Sequence, residues 1–260
     1  MKPLVALLAC AVLRAGDAPL PALSSTIIDG EVLHANTLEV AGLAFRDVTA
    51  RPRYAKGLLG FLDIEAKAYR GTVAGWYAID MAGNNRAHTC RFDITGCDLS
   101  TLLRSLGSTN EQLGGRINGW FELRIPIGDE GISGRGQIDI SDASLVQLPL
   151  LVNFLAGNPA ASRGKDQLTA RFQLRDGGIE IIWLRLESPA ILLAARGRIA
   201  YDGKLEIEIA PRLPFEILSK LPLLGNWAAS GLSRLASRVT RAYVRGHYSQ
   251  PVIVIDAFGR

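Results

Sequence analysis

The chain has 260 residues, of which 48% are hydrophobic and 21% are charged, and its formal net charge is +4. This length accommodates one large or two small domains with a substantial core. The mean hydropathy of +0.17 is high for a soluble domain, yet no stretch reaches the roughly 18 consecutive apolar residues of a membrane-spanning helix. The 27 glycines and 12 prolines are scattered between apolar runs, which indicates many turns and excludes extensive disorder.

Residues 1–24 are predicted to form a leader segment. Lys2 precedes an apolar stretch from Pro3 to Leu13, and Gly16-Asp17-Ala18 supplies the small residues of a cleavage site. This arrangement resembles a minimal secretory signal and favours export of the protein. Two alternatives stay open, namely that the sequence is a fragment or that this segment is an outer strand. Residues 25–260 are predicted to form a single domain.

Alternating apolar and polar side chains predict β strands through most of that domain. Side chains alternate across a strand with period two, so the pattern gives each strand one apolar and one polar face. Asx-Gly pairs such as Asp29-Gly30 and Asp202-Gly203 supply the positive φ angles that tight hairpins require. Because short turns join the strands, we expect neighbours in sequence to pair antiparallel. The predicted strands lie at residues 25–33, 36–50, 58–69, 73–81, 86–95, 115–125, 132–146, 166–175, 178–187, 190–201 and 203–210.

The predicted fold class is therefore mainly β, an elongated, curled antiparallel sheet that forms an open groove. The strand at 166–175 illustrates the pattern, because its even-numbered positions from Leu168 to Leu174 are apolar and its odd-numbered positions are polar. Apolar positions of this kind are expected to line the groove. The candidate lining residues are Leu62, Ile64, Ile138, Ile140, Leu168, Ala170, Phe172, Leu174, Ile182, Leu184, Leu186, Leu205, Ile207 and Ile209.

Short helices are predicted to interrupt the strands at residues 98–106, 148–157 and 214–245. In the first helix, Asp98 or Ser100 is a suitable N-cap, and four leucines follow at helical spacing.

The third predicted helix is basic and amphipathic at its end. Residues 211–260 contain seven Lys or Arg against two acidic residues, a net charge of +5, whereas the preceding residues sum to −1. Basic amphipathic helices of this type bind anionic bilayers or cap a core. We expect four arginines to contact an anionic membrane surface: Arg234, Arg238, Arg241 and Arg245. They share the helix with leucines and alanines rather than with stacking aromatic residues, which argues against nucleic acid as a partner.

The sequence offers no group placed for catalysis. A Gly-x-Ser-x-Gly motif is missing, and His34, His88 and His247 lie without a nucleophile motif beside them. His88 and Cys90 with Cys97 form the one cluster of metal-ligand types, and it lacks a fourth ligand. We therefore expect no metal, no cofactor and no enzymatic activity. Cys90 and Cys97 form a disulfide if the chain doubles back between them, and are inert thiols otherwise.

Several segments resemble, in order, the C-terminal region of the AsmA-like envelope proteins. They lie at residues 96–103, 113–119, 134–143, 148–151, 176–179, 197–199 and 246–252. The resemblance implies a bridge-like lipid-transfer protein of the bacterial periplasm or cell envelope, associated with a membrane. Its groove would carry phospholipid acyl chains for lipid transport or outer-membrane assembly, and other envelope proteins would extend it.

An alternative function uses the same strands. In a structural or scaffolding module of the envelope, the apolar face is the interior of a closed core and no lipid is bound. Alternation of side chains does not distinguish a core from a groove, because both bury one face of the sheet.

Overall fold

Strands dominate the structure, a computed structural model that describes residues 28–40, 42–82, 86–106, 113–127, 131–144, 166–175, 177–188, 192–212, 241–247 and 250–256. The strands are β1 Ile28–Asp29, β2 Leu33–Val40, β3 Leu43–Ala55, β4 Leu58–Ala68, β5 Gly71–Asp80, β6 Ala87–Asp98, β7 Arg116–Pro126, β8 Ser133–Ala143, β9 Asp166–Arg175, β10 Gly178–Glu187, β11 Leu192–Ala200, β12 Lys204–Arg212, β13 Arg241–His247 and β14 Gln250–Asp256. One short helix, α1 Leu99–Ser105, follows β6. The predicted mainly β class is confirmed.

All strands belong to one antiparallel sheet. The order of paired neighbours is β1-β3-β4-β5-β6-β7-β8-β9-β10-β11-β12-β13-β14, and β2 also pairs with β3. Pairing therefore follows the sequence from β3 onward, as expected where short connections join neighbouring strands, and it holds also across the longer connections from β8 to β9 and from β12 to β13. The path ends at β14 without returning to β1, so the sheet is open. Within the described residues, no helix has the length and apolar character needed to cross a bilayer.

Helix α1 begins at a well-formed N-cap. Asp98 adopts an extended conformation, and its carboxylate oxygen Oδ1 accepts hydrogen bonds from the backbone N–H of Thr101 at 2.7 Å and from the hydroxyls of Ser100 and Thr101 at 2.6 Å. Burial opposes ionisation of Asp98, but these hydrogen bonds together outweigh it and lower the pKa of the carboxyl. Leu99 packs inward at 6% exposure. The helix predicted at 98–106 and its Asp98 cap are confirmed.

The predicted helix at 214–245 is wrong over its last residues. Residues 241–245 belong to strand β13, which pairs with β12 on one side and β14 on the other. The segment Arg-Ala-Tyr-Val-Arg alternates polar and apolar residues with period two, so it also suits a strand. Pairing on both sides outweighs a helical spacing that extends only through the preceding residues. Residues 213–240, with Arg234 and Arg238, and the helix predicted at 148–157 lie outside the described residues.

Several irregularities shift the strand register, in the pairings of β3 with β4, β4 with β5, β6 with β7 and β10 with β11, and two of them displace predicted lining residues. In β4 the pairing with β5 shifts between Phe61 and Ile64, where Asp63 has a φ of +49°. In β10 the pairing with β11 shifts between Ile181 and Leu184. A bulge adds a residue to one strand and exchanges the faces of the positions that follow it. Period-two alternation therefore restarts in a new phase beyond each of these points.

The chain divides into two compact units. Among the described residues, the first unit contains β1–β7 with α1, residues 133–138 of β8 and residues 173–175 of β9. The second contains residues 139–143 of β8, residues 166–172 of β9, and β10–β14.

Candidate functional site

One face of the sheet in the first unit is apolar across five strands. Cross-strand partners share a face, and the register therefore assembles rows that run from β3 to β7. Two such rows consist of Tyr54, Leu59, Ile79, His88 and Ile125, and of Pro52, Phe61, Tyr77, Cys90 and Leu123. Ile125 and Leu123 are buried at 7% and 5% exposure, whereas Leu59 and Phe61 are only half-buried. The β4 side of this face therefore keeps apolar surface open to a further apolar partner.

Gly75 creates space on the same face. It lies opposite Phe92 of β6, which lies opposite Phe121 of β7, and the two phenylalanine rings are 5.6 Å apart between centroids. A Cβ at Gly75 would overlap the carbonyl oxygen of Arg91 and lie 2.8 Å from the ring of Phe92. The missing side chain is what admits the Phe92 ring.

A polar pair lies within this apolar face. The Tyr77 hydroxyl and Nδ1 of His88 are 2.5 Å apart, and the two rings lie 5.9 Å apart between centroids. Cys90 lies directly opposite Tyr77 in the register. His88 is 9% exposed as a whole residue, and its Nε2 keeps solvent-accessible surface.

Burial sets the protonation of this group. It raises the pKa of Tyr77 to about 12, with a smaller contribution from the Cys90 thiol, and it raises the pKa of Cys90 to about 11. Burial also lowers the pKa of His88. All three groups are therefore neutral at pH 7. A thiol in this state is a poor nucleophile, and the hydrogen bond within the group joins Tyr77 to His88.

Both described cysteines are free thiols. Cys90 and Cys97 are buried, and the Cys97 Sγ donates to the carbonyl oxygen of Ala68 at 3.2 Å. Burial raises the pKa of Cys97 as well. Within the described ranges, no three His, Cys, Asp or Glu side chains come together to hold a metal ion.

The second unit carries its own apolar face on β10–β13. The register places four rows of cross-strand neighbours on it: Ile179, Ile199, Leu205 and Gly246; Ile181, Gly197, Ile207 and Val244; Leu184, Ala195, Ile209 and Ala242; and Leu186 with Leu193. Leu186, Leu193 and Val244 are buried at 2–3% exposure. Ile207 and Ile209, by contrast, are half-buried. The face therefore combines sealed positions with aliphatic side chains that keep accessible surface.

Most of the predicted lining residues lie on apolar positions of the observed strands. In β9, Leu168, Ala170 and Phe172 are half-buried and Leu174 is 4% exposed, while Gln167, Arg171 and Arg175 on the other face are exposed. Leu184 and Leu186 of β10, and Leu205, Ile207 and Ile209 of β12, lie in the rows of the second unit. Ile138 and Ile140 of β8 are half-buried.

The bulges separate two predicted lining residues from the others. Leu62 pairs with the exposed Arg51, whereas Ile64 pairs with Gly75, so the two residues of β4 lie on opposite faces. Ile182 lies within the irregularity of β10 and is 38% exposed. Ile181, which the sequence pattern omitted, takes the corresponding position on the apolar face.

The arginines of β13 lie on the polar face of the second unit. The Glu208 carboxylate forms ion pairs with the guanidinium groups of Arg196 at 2.9 Å and Arg241 at 3.1 Å, so one carboxylate bridges two arginines. The Arg245 guanidinium lies 5.3 Å from the centre of the Tyr243 ring, on the same face of the strand. Arg241 and Arg245 are therefore engaged within the sheet, which weakens the case for these two as a dedicated membrane contact.

The polar face of the first unit holds an open depression of about 410 Å³. Trp76, Thr89 and Arg124 line it together with Glu122 and Arg135. The Arg135 guanidinium donates two hydrogen bonds to Oε2 of Glu122 at 3.0 and 3.1 Å. This ion pair engages Glu122 and Arg135 with each other, and the exposed Arg124 is the third charged side chain of the lining.

The Tyr77–His88 pair was missed from the sequence, where His88 appeared without a partner. The signal that would have found it is the hairpin of the predicted strands at 73–81 and 86–95. In an antiparallel hairpin, the numbers of two residues that lie opposite each other always add up to the same total. A residue is a diagonal neighbour of the residue two positions before or after its opposite partner.

Comparisons with models of protein families, with curated proteins and with solved structures found no match to this chain.

Proposed function

We propose that the chain is a non-enzymatic protein that binds lipid acyl chains on the apolar faces of its sheet. The observation that carries the proposal is the set of half-buried aliphatic and aromatic side chains on these faces, such as Phe61, Ile207 and Ile209. A flexible hydrocarbon chain can pack against contiguous rows of apolar side chains that keep accessible surface. Transfer of each methylene from water contributes roughly 0.8 kcal/mol before the cost of ordering the chain.

The order of the strands suits this function. Consecutive antiparallel pairing repeats the same apolar side over neighbouring strands. A hydrocarbon chain lying along such a surface meets aliphatic groups at regular spacing, without a single deep pocket. Binding of this kind is weakly specific for the lipid and favours carriage over retention.

The proposal places the protein in the bacterial envelope, associated with a membrane. The supporting feature is the ordered resemblance to the C-terminal region of AsmA-like proteins at residues 96–103, 134–143 and 176–199. In that setting the protein contributes to phospholipid transport or outer-membrane assembly, and other envelope proteins extend its lipid-binding surface. Anionic membrane contact is part of the same proposal, through the basic residues after position 211.

A pair of neighbouring substitutions tests acyl-chain binding. Ile207→Gln places an amide on the apolar face of β12, and Glu206→Gln changes the adjacent residue, which lies on the polar face. Displacement of a fluorescent fatty acid is measured for both variants. We expect Ile207→Gln to weaken binding about tenfold, because contact of the glutamine amide with hydrocarbon costs about 1–2 kcal/mol of binding free energy. Glu206→Gln should bind as the unaltered chain does, and equal binding by all three proteins would contradict the proposal.

A scaffolding module is the second candidate function. The fully buried positions Leu186, Leu193 and Val244 favour it, because they form sealed core instead of accessible surface. A closed core takes up no fluorescent fatty acid at all. The displacement assay on the unaltered chain therefore separates the two functions.

A further inference from the structure

We infer that the Tyr77–His88 pair recognises the ester carbonyl of an acyl lipid bound on the apolar face of the first unit. The inference deepens the proposed function and depends on it. It assigns the polar end of the ligand, which the apolar rows by themselves do not specify.

The contact with Tyr77 engages Nδ1 of His88 and leaves Nε2 as its other ring nitrogen, and we assign the Tyr77 hydroxyl as the donor of this hydrogen bond. The Tyr77 hydroxyl hydrogen has one acceptor among the described residues, Nδ1 of His88 at 2.5 Å. Donation from Tyr77 leaves Nδ1 as the acceptor, and a neutral imidazole then carries its proton on Nε2. Burial keeps both groups neutral at pH 7, since it raises the pKa of Tyr77 and lowers that of His88.

The Nε2–H group lacks an acceptor in the described part of the chain, where the bond to Tyr77 is the hydrogen bond of His88. His88 is 9% exposed and lies between Ile79 and Ile125 in its row. In the unliganded chain Nε2 keeps solvent-accessible surface, since it is not among the buried polar atoms without a partner in the described residues. A hydrocarbon chain that covers this face removes that surface from water, which is costly for a donor that then has no acceptor. A ligand that supplies an oxygen at this position avoids that cost.

The surroundings select the kind of oxygen. The two rows around the pair contain aliphatic and aromatic residues, a proline, and Cys90, but no Lys or Arg. A carboxylate or phosphate here would be a buried charge without a counter-ion, which is strongly unfavourable. A neutral carbonyl accepts one hydrogen bond without that penalty. The ester carbonyl at the head of an acyl chain combines this acceptor with hydrocarbon that fits Leu59 and Phe61.

Two ligands that differ only in the carbonyl test the inference. The probes are 1-dodecanoylglycerol, an ester, and 1-dodecylglycerol, the corresponding ether. Their dissociation constants are measured from the side-chain methyl resonances of Ile79 and Ile125, which flank His88 and report binding at this place. We expect the ester to bind about tenfold more tightly than the ether, the order of magnitude of one hydrogen bond to a donor that the bound ligand removes from water.

Two variants locate the source of the preference. His88→Phe keeps a flat ring of similar size and removes the donor, and it should bind ester and ether equally. Thr89→Val changes the next residue on the same strand, on the opposite face, and it should keep the tenfold preference. A preference that survives in His88→Phe would overturn the inference, as would equal binding of both probes by the unaltered chain.

A measurement on the unaltered protein covers the case in which His88→Phe does not fold. The ¹⁵N chemical shifts of the imidazole distinguish a protonated Nε2 from a protonated Nδ1. We expect Nε2 to carry the proton and its resonance to shift on addition of the ester but not of the ether. A proton on Nδ1, or identical shifts with both probes, would contradict the inference. Absence of binding of either probe would overturn acyl-chain binding itself, and this outcome is distinct from binding without a preference.

Discussion

Replacement of Leu186 by alanine provides a direct test of where the second unit has its core. Leu186 is 2% exposed and lies opposite Leu193, which is 3% exposed. Truncation removes three carbon atoms from a sealed position, which costs the transfer free energy of those atoms and a further amount for the cavity. Leu→Ala substitutions at buried positions typically lower the free energy of unfolding by about 2–5 kcal/mol. We expect about 3 kcal/mol here, because the facing Leu193 is held by its own strand pairing and can fill little of the space.

Val252→Ala is the matched control in the same unit. Val252 is 57% exposed on β14, so its truncation should change the free energy of unfolding by less than about 0.5 kcal/mol. Urea unfolding followed by far-ultraviolet circular dichroism measures both variants. With a urea dependence of about 2 kcal/mol/M, Leu186→Ala should lower the midpoint of the transition by roughly 1.5 M. Equal shifts for the two variants would refute the assignment of Leu186 to the core and of Val252 to the surface.

Three further substitutions or reactions test local features of the fold. Asp98→Ala should lower the free energy of unfolding by about 1 kcal/mol through loss of the α1 N-cap. The pKa of Asp98 is lowered in the folded chain, so this contribution is complete above the ordinary pKa of an aspartate. It should vanish as the pH falls through the pKa of Asp98 in the folded state. Gly75→Ala should lower the unfolding midpoint in urea more than any surface substitution, because the added Cβ overlaps the Arg91 carbonyl oxygen; an unchanged midpoint would contradict this packing. Cys90 and Cys97 should react with a thiol reagent in urea but only slowly in the folded protein, since both are buried and have raised pKa values; rapid reaction without urea would contradict their burial.

Much of the strand pattern was predictable from the alternation of residues. The strands at 166–175 and 178–187 appear as expected, and in β9 Leu168 and Leu174 fall on one face. Alternation is visible in sequence because it is local and each strand needs only its own residues to display it. The Asp98 cap was predictable for the same reason, since its partners lie within three residues.

The bulges were not predictable from this pattern. A bulge leaves the composition of a strand unchanged and alters only the pairing with its neighbour, so Leu62 and Ile182 gave no sign of their shifted positions. The phase of the alternation beyond a bulge is set by the partner strand. The sequence pattern consequently assigned Ile182 to the apolar face in place of Ile181.

Strand β13 shows how pairing can outweigh a helical spacing. Arg241 and Arg245 are four residues apart, a separation that places two side chains on one face of a helix and also on one face of a strand. The ambiguity is resolved by β12 and β14, which pair with β13 on both edges. Such long-range partners are invisible to a local pattern, and the contact of Arg241 with Glu208 could not be anticipated without them.

The contact between Tyr77 and His88 could be predicted only if the register of the hairpin were known. The two residues are 11 positions apart, and their contact depends on the turn that joins β5 and β6. The sequence predicted both strands but not which residues face each other. Half-buried apolar surface, which carries the proposed function, is likewise a property of the packed sheet that residue types do not determine.

Lipid content after gentle extraction tests acyl-chain binding most directly. The protein is isolated from its native membranes or envelope in a non-displacing detergent, and the bound lipids are identified by mass spectrometry. The proposed function predicts phospholipid in the isolated protein, with a lower lipid content in Ile207→Gln and an unchanged content in Glu206→Gln. A folded protein that is consistently free of lipid would contradict acyl-chain binding and leave a self-contained β protein with a structural role.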